Sequence, residues 1–395
     1  MKNSLIFNIT NDSITIAAGK YHKGKPVLLN VNHREYDGLL DFKNKAFDAN
    51  LIYKQLKLLL DEMFKKVPSF DEVTVIIPDI NIDSYITSIV VYTSNESSII
   101  SEQDISFLFS SANKKYIDDK KNKIISVTPI YFETDDNKFQ RAPIGEVSSL
   151  VKMTYSCYPI DNKFYEILVK IFNKLGFKDI NVTYNSTELT NLIKTSLVYP
   201  KNYLMLDSSY TNSYFSIVAN NVVSYCENIG LSLFDLLDDF VHEYEIPYSD
   251  ARNMIFNYGY DNVKHPIKVL IYEATNALGV NIKIYQSDLN ERLENFIQKL
   301  ATVLNKNETL LRNLLKMSPN DPTPIIGFGE LFEISGFKEK LCEILGKDIT
   351  IFENRFSYHN TRNIYPIIGV INKIEEYDFK KAVAKENIST VTRGE

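Results

Sequence analysis

The sequence predicts an α/β protein of at least two domains, with a small α+β unit inserted into the first. Three observations lead there. At 395 residues the chain is too long for one ordinary core. Short strand-like runs alternate with amphipathic helical runs along most of its length. Between about residues 80 and 160, a strand–helix–strand–strand group interrupts that order.

The chain opens as a β-meander. Leu5, Phe7 and Ile9 are apolar at every second position, and Ile14 and Ile16 repeat that spacing after the turn Thr10-Asn11-Asp12. Lys23-Gly24-Lys25-Pro26 turns into a third strand at Val27. Asn50 to Val67 has helical spacing, with Leu51, Ile52, Leu56, Leu59, Leu60 and Met63 apolar. Val73 to Ile77 is a short buried strand stopped by Pro78. In the insert, Ile89 to Tyr92 is a strand. A helix follows whose start Ser101 or a neighbour caps, with Asp104 in its first turn. Ile124 to Tyr131 and Leu150 to Tyr158 are further strands.

Beyond the insert, Phe164 to Leu175 is a helix ended by Gly176, and Ile180 to Thr183 a strand. Tyr203 to Asp207 is a buried strand, and Phe215 to Val223 makes a hairpin through Asn220-Asn221. Helices are expected at Leu233 to Tyr244, Asp250 to Tyr258, Asp288 to Leu304 and Glu308 to Met317, the last closed by Ser318-Pro319-Asn320-Asp321-Pro322. After Ile325 to Gly329 come a helix near Lys338 to Leu345, a strand at Ile349 to Ile351 and a helix at Tyr365 to Ile374.

Composition excludes several functions. The net charge of −6 argues against general attraction to nucleic acid. Cys157, Cys226 and Cys342 lie far apart without CxxC spacing, which fits a reducing compartment better than a disulfide framework or a zinc site. His22, His33, His242, His265 and His359 make no metal-ligand spacing. Neither a P-loop nor a Gly-x-Ser-x-Gly elbow is present. The start of the chain turns polar too soon for a signal peptide, and no apolar run spans a membrane. The basic stretch Lys114 to Lys123 holds two aspartates and reads as a solvated loop.

Three segments carry a family resemblance. Ile100-Ser101-Glu102-Gln103-Asp104 is similar to an Ile-Thr-x-Glu-Asp helix start. Pro143-x-Gly145 is similar to an Asp-Pro-x-Gly-Met turn, with Ala142 and Glu146 departing from it. Ile246-Pro247-x-x-Asp250-Ala251, ending at Tyr258-Gly259, is similar to Ile-Pro-x-x-Glu-Ala-Glu-x-x-Lys-x-x-Tyr-Gly. In this order, over nearly the whole chain, they resemble FtsA, the actin-like protein of bacterial cell division. The resemblance implies a two-lobed actin-like (ribonuclease-H-like) fold with an FtsA-type α+β insert. It implies subdomain 1A at 1–80 and 163–200, insert 1C at 81–162, 2A at 201–260 and 319–360, 2B at 261–318, and a return helix to 1A plus tail at 361–395.

The resemblance also implies a site for ATP and Mg²⁺, held by two hairpin turns. Such turns need small residues, because backbone N–H groups must reach the phosphates. Here both are altered. Asn8-Ile9-Thr10, followed by Asn11, stands where the family has Asp-x-Gly. Asp207-Ser208-Ser209-Tyr210-Thr211-Asn212-Ser213 stands where it has Asp-x-Gly-x-Gly-Thr-Thr. Asp207 is the remaining metal-ordering candidate. Arg252 and Ile255 occupy the ribose-facing Glu and Lys positions, and Gly327 and Gly329 the adenine turn. Each lost contact costs about 1–3 kcal/mol, so three or four move a micromolar site to millimolar or worse. The expectation is weakened or lost ATP binding and no catalytic residue.

As partners the resemblance implies the FtsZ carboxyl-terminal tail, guided by Arg292 and Lys299, and self-association into filaments. It implies a place in the cytoplasm at the inner face of the membrane or the division site. Tyr377 to Glu395 has no strong apolar face, so membrane contact is expected through a partner or through an amphipathic helix missing from this sequence. An active actin-like ATPase or kinase, and a PilM-like pilus-assembly scaffold with a similar core and insert, are the alternatives.

Overall fold

The computed structural model describes residues 3–36, 40–41, 46–79, 85–94, 97–115, 122–194, 199–261, 268–275, 279–315, 323–352 and 363–372. Most of the Lys114 to Lys123 run, His265, His359, Ser318 to Pro322 and the tail after Asn372 lie outside them. The chain divides into two compact units. One holds residues 1–201, 220–225 and 356–395, the other 202–219 and 226–355.

The first unit is built on a five-stranded sheet. β1 (Ser4–Ile9), β2 (Ser13–His22) and β3 (Lys25–Glu35) form the expected meander. After the short pair β4 (Leu40–Asp41) and β5 (Ala46–Phe47), α1 (Ala49–Phe64) starts at Asp48, whose carboxylate accepts from Asn50 N and Leu51 N. β6 (Glu72–Ile77) then pairs parallel with β1. β1 is buried at all six positions, not only on the face of Leu5, Phe7 and Ile9. The reason is cover on both sides. Phe7 meets Phe172 of α3 (Asn162–Lys174) edge-on at 4.9 Å, while Ile6 packs with Ile367 of a helix at 363–372, α9 below.

The insert is an α+β unit, as the sequence suggests. β7 (Tyr85–Tyr92), α2 (Glu102–Lys115), β8 (Asn122–Glu133), β9 (Lys138–Phe139) and β10 (Leu150–Asp161) give a sheet of order β7-β10-β8-β9. α2 covers one face through Ile105, Leu108 and Ala112. Ser101 N and Oγ donate to Asp104 Oδ2 at 2.8 and 2.6 Å, and Asp104 N donates back to Ser101 Oγ. The chain returns through α3, β11 (Asn181–Tyr184) and α4 (Asn185–Lys194), and β11 becomes the outer strand beside β6.

The second unit repeats the theme. β12 (Tyr203–Ser208), β13 (Ser213–Ala219) and β14 (Val222–Asn228) form a meander with β14-β13-β12-β17-β18 order, the start of β14 up to Tyr225 being counted with the first unit. Asn220 and Asn221 take φ of 50° and 61°, the left-handed pair a two-residue hairpin needs. α5 (Leu233–Tyr244) has a full capping box from Ser232 and Asp235, and α6 (Tyr248–Tyr258) stops at Gly259. A small hairpin, β15 (Leu270–Thr275) with β16 (Asn281–Tyr285), leads into α7 (Gln286–Leu315).

α7 corrects the sequence reading. The two helices expected at Asp288 to Leu304 and Glu308 to Met317 are one helix of 30 residues. The polar run Asn305-Lys306-Asn307 does not break it: Asn307 is buried, and its Nδ2 donates back to Val303 O at 3.0 Å. β17 (Ile325–Gly329), α8 (Phe337–Leu345) and β18 (Ile349–Ile351) complete the unit, and α9 (363–372) belongs to the first unit again.

Candidate functional site

The two turns singled out by sequence lie in different units, the first between β1 and β2, the second between β12 and β13. They share one geometry. Thr10 N donates to Ser13 O at 2.9 Å, and Ser13 N donates to Thr10 Oγ1 at 3.0 Å. Likewise Ser209 N donates to Asn212 O at 2.8 Å, and Asn212 N donates to Ser209 Oγ at 3.2 Å. In each case the hydroxyl of the residue standing in for glycine accepts the N–H three residues on. That N–H is one a phosphate-cradling turn leaves open. The side-chain oxygen thus occupies an acceptor position at that N–H.

The first turn is knit further. Thr10 Oγ1 lies 2.7 Å from both Asp12 Oδ1 and Ser13 Oγ. Asp12 therefore puts a carboxylate in the turn itself. A phosphate oxyanion about 5 Å away would be repelled by about 3 kcal/mol at a near-surface dielectric. Asn8 is buried, and its Nδ2 donates to Asn363 O at 3.1 Å, so the amide fastens β1 to the start of α9. Asn11 sits half-buried at the tip.

In the second turn, Asn212 Nδ2 donates to Thr211 Oγ1 at 3.2 Å and Asn212 Oδ1 accepts from Asn228 Nδ2 at 2.8 Å. Tyr210 O accepts from Phe234 N, which ties the turn to the start of α5. Asp207, 8% exposed, lies on β12 opposite Tyr214, and its neighbour Ser208 Oγ accepts from Leu331 N. Among the described residues no three His, Cys, Asp or Glu side chains come together as a metal-binding group.

Gly327 and Gly329 sit on β17, beside β12. Each has a packing reason to lack a side chain. A Cβ on Gly329, whose φ is +98°, would fall 1.8 Å from Ser208 O. One on Gly327 would fall 2.6 Å from the Phe332 ring. Phe328 between them is buried and stacks on Phe352 at 5.1 Å.

On α6, Ile255 is fully buried in the core, while Arg252 is exposed and lies over the rings of Phe256 at 4.8 Å and Tyr210 at 5.8 Å. Tyr210 also meets Phe234 edge-on, and Phe234 stacks on Tyr248. The hydrogen bond to Asp238 pushes the Tyr248 phenol up to about 12. On α7, Arg292 pairs with Glu243 and Lys299 is exposed. Sequence reasoning missed Asp12, Ser13, Tyr210 and Asn228. The polar run Thr10-Asn11-Asp12-Ser13 carries the signal for the first two, since such residues bond their own turns.

The residues present do not fit a nucleotide in the way the resemblance implies. Side chains occupy both cradles, one cradle carries a carboxylate, and the two glycines serve β17 packing.

A second concavity lies wholly in the first unit. A cavity of about 520 Å³ runs between the amino-terminal half of β8 and β11. Ile124, Ser126, Val182, Thr183 and Tyr165 line it, with the buried Glu188 at its floor accepting from Thr183 Oγ1 at 2.6 Å. β11 is the outer strand of its sheet, and β9 pairs only with the Phe132-Glu133 end of β8. Residues of both strands, each without a further paired strand there among the described residues, line this cleft.

No protein-family model matches the chain, and no curated protein matches it. Solved structures do match. A chain of the PilM-PilN type IV pilus biogenesis complex is 12% identical, with 93% of this chain and 96% of that one covered and a TM-score of 0.59. MreB5 of Spiroplasma citri bound to ADP is 11% identical, with 97% and 99% covered and a TM-score of 0.53. The ethanolamine utilization protein EutJ from Carboxydothermus hydrogenoformans is 8% identical, with 94% and 90% covered and a TM-score of 0.50. With two meander-based units and matches over nearly its whole length, this chain has the actin-like ATPase fold.

Proposed function

We propose that the chain is an actin-like scaffold that works by holding partners, with ATP and Mg²⁺ binding weakened or lost. One observation supports this above all. In both turns a hydroxyl of the chain accepts the N–H that a phosphate would need. Within this reading the chain is FtsA-like. The insert and the subdomain limits given above follow the FtsA plan. It recruits FtsZ at the inner face of the membrane or at the division site, assembles into filaments, and reaches the membrane through a partner or through a carboxyl-terminal helix missing from this sequence. The FtsZ tail docks on α7. Lys299 is exposed there, whereas Arg292 must first leave Glu243.

A second reading is favoured by the cleft between β8 and β11. Two strands lining one cavity suit an extended peptide, which pairs through its main chain and seats alternate side chains. A PilM-like scaffold that holds a peptide of a pilus-assembly partner would use such a cleft.

One experiment separates the two. Hydrogen exchange of the whole chain is followed with a synthetic FtsZ tail peptide at about 100 µM. Protection of α7 amides is the result expected. Protection confined to Ile124–Ser126 and Val182–Thr183 moves the peptide to the cleft and favours the second reading. No protection anywhere at that concentration removes FtsZ as the partner.

A further inference from the structure

α9 delivers the chain to the cleft between β8 and β11. Its last turn lies against the cleft floor. A Cβ on Gly369 would fall 1.9 Å from Glu188 O, and the next residue, Val370, is part of the cavity wall. Residue 373 therefore follows about 5 Å along the helix axis beyond Val370. Residues 373–395 continue from there. Residues 373–386 are charged at eight of fourteen positions and have little to bury. Residues 387–392, Asn-Ile-Ser-Thr-Val-Thr, hold no charge, no glycine and no proline, and four of the six are β-branched. That composition favours an extended strand over a helix. Arg393 follows it.

The cleft suits a small, hydroxyl-rich strand. Its wall sets the apolar Val182 and Val370 beside the hydroxyls of Thr183 and Thr187. Thr187 Oγ1 is buried and finds no hydrogen-bond partner among the described residues, so the wall holds a polar group that an occupant can satisfy. Glu72 and Glu188 add two carboxylates to the lining, while Lys123, its one cation among the described residues, lies over the Tyr165 ring at 3.8 Å. The balance is acidic and complements Arg393. β11, the outer strand of its sheet, runs along one side.

We propose that residues 387–393 dock in this cleft in cis, as a strand beside β11, and so shut out a peptide from another protein. The exclusion rests on the second reading above; the docking does not. The connection is long enough, since fourteen residues span up to about 45 Å against about 13 Å for the four residues of β11. A tether of that length holds its end at an effective concentration on the order of millimolar. A strand contact with a dissociation constant of about 100 µM is then closed about nine-tenths of the time. The tether and the place where α9 ends select this segment over a strand from another molecule, which enters at its bulk concentration alone.

Hydrogen exchange of the whole chain with no peptide added tests it, so this proposal and the second reading fail on different results. Thr390→Pro removes a main-chain donor and bars the segment from a strand interior. The β11 amides are expected to exchange about tenfold faster in Thr390→Pro than in the wild type, while circular dichroism stays unchanged. Ala382→Pro, in the tether, is expected to exchange as the wild type does. A synthetic peptide of residues 386–395 at about 1 mM is expected to restore the protection lost in Thr390→Pro. Trypsin is expected to cut after Arg393 more slowly in the wild type than in Thr390→Pro. Equal β11 exchange in the two chains, an equal loss with Ala382→Pro, no restoration by the peptide, or equal cutting at Arg393 would each overturn the proposal. So would protection that disappears on about tenfold dilution of the protein, the result expected if the segment came from another copy.

Discussion

Thr10 and Ser209 sit in different units yet do the same thing, and that agreement decides the reading at the scale of single residues. Both stand where the resembled family has glycine, and both turn a hydroxyl onto their own backbone. The sequence discloses the change of residue type but not the bond, because a hydroxyl facing solvent and one closing its own turn are written with the same letters. Gly327 and Gly329 teach the converse. They match an adenine turn in sequence, yet both are glycine because neighbouring atoms leave no room for a Cβ. Gly329→Ala should destabilise the chain by about 2–4 kcal/mol, since the obstacle is backbone and φ is positive. Gly327→Ala should cost less, about 1–2 kcal/mol, since the Phe332 ring can move. Urea melts of the two variants check the order. Equal, negligible losses would return the glycines to a ligand role.

At the scale of elements, caps and turns were the legible part. Asn220-Asn221, Gly176, Gly259 and the Ser101–Asp104 start all sit where their chemistry places them, because each acts within a few residues. Elements set by packing were less legible. β1 has Leu5, Phe7 and Ile9 on one face but Ile6 on the other and is buried on both, and α7 runs through Asn305-Lys306-Asn307 because Asn307 bonds back to the helix. The β15–β16 hairpin and α4 went unread, being short and only weakly periodic. The cap on α2 also makes a pH prediction. Hydrogen bonds from Ser101, then from Ser94, hold the Asp104 carboxyl below its ordinary range. A carboxyl depressed on folding stabilises the native state above its unfolded value of about 3.9, and that stability is lost as pH falls through the lower folded value. Ser101→Ala should therefore move acid loosening of α2 to higher pH and cost about 1 kcal/mol at neutral pH. Hydrogen exchange of the α2 amides across an acid series reads it. An unshifted acid transition would mean that the box does not hold Asp104.

For the whole molecule, the order of strands and helices reached an α/β fold with an insert, the family resemblance implied the actin-like fold, and matches over nearly the full chain bear that fold out. Such order survives at 11–12% identity because it depends on where apolar stretches begin and end. A ligand site depends on a handful of atoms, so the fold passes on with no guarantee of its nucleotide. No helix among the described residues is long and apolar enough to cross a membrane. Calorimetric titration of the whole chain with ATP and Mg²⁺ tests the central claim most directly. Closed turns predict no measurable heat of binding below about 1 mM and no release of phosphate. Saturable binding at about 10 µM or tighter, or steady turnover, would contradict them.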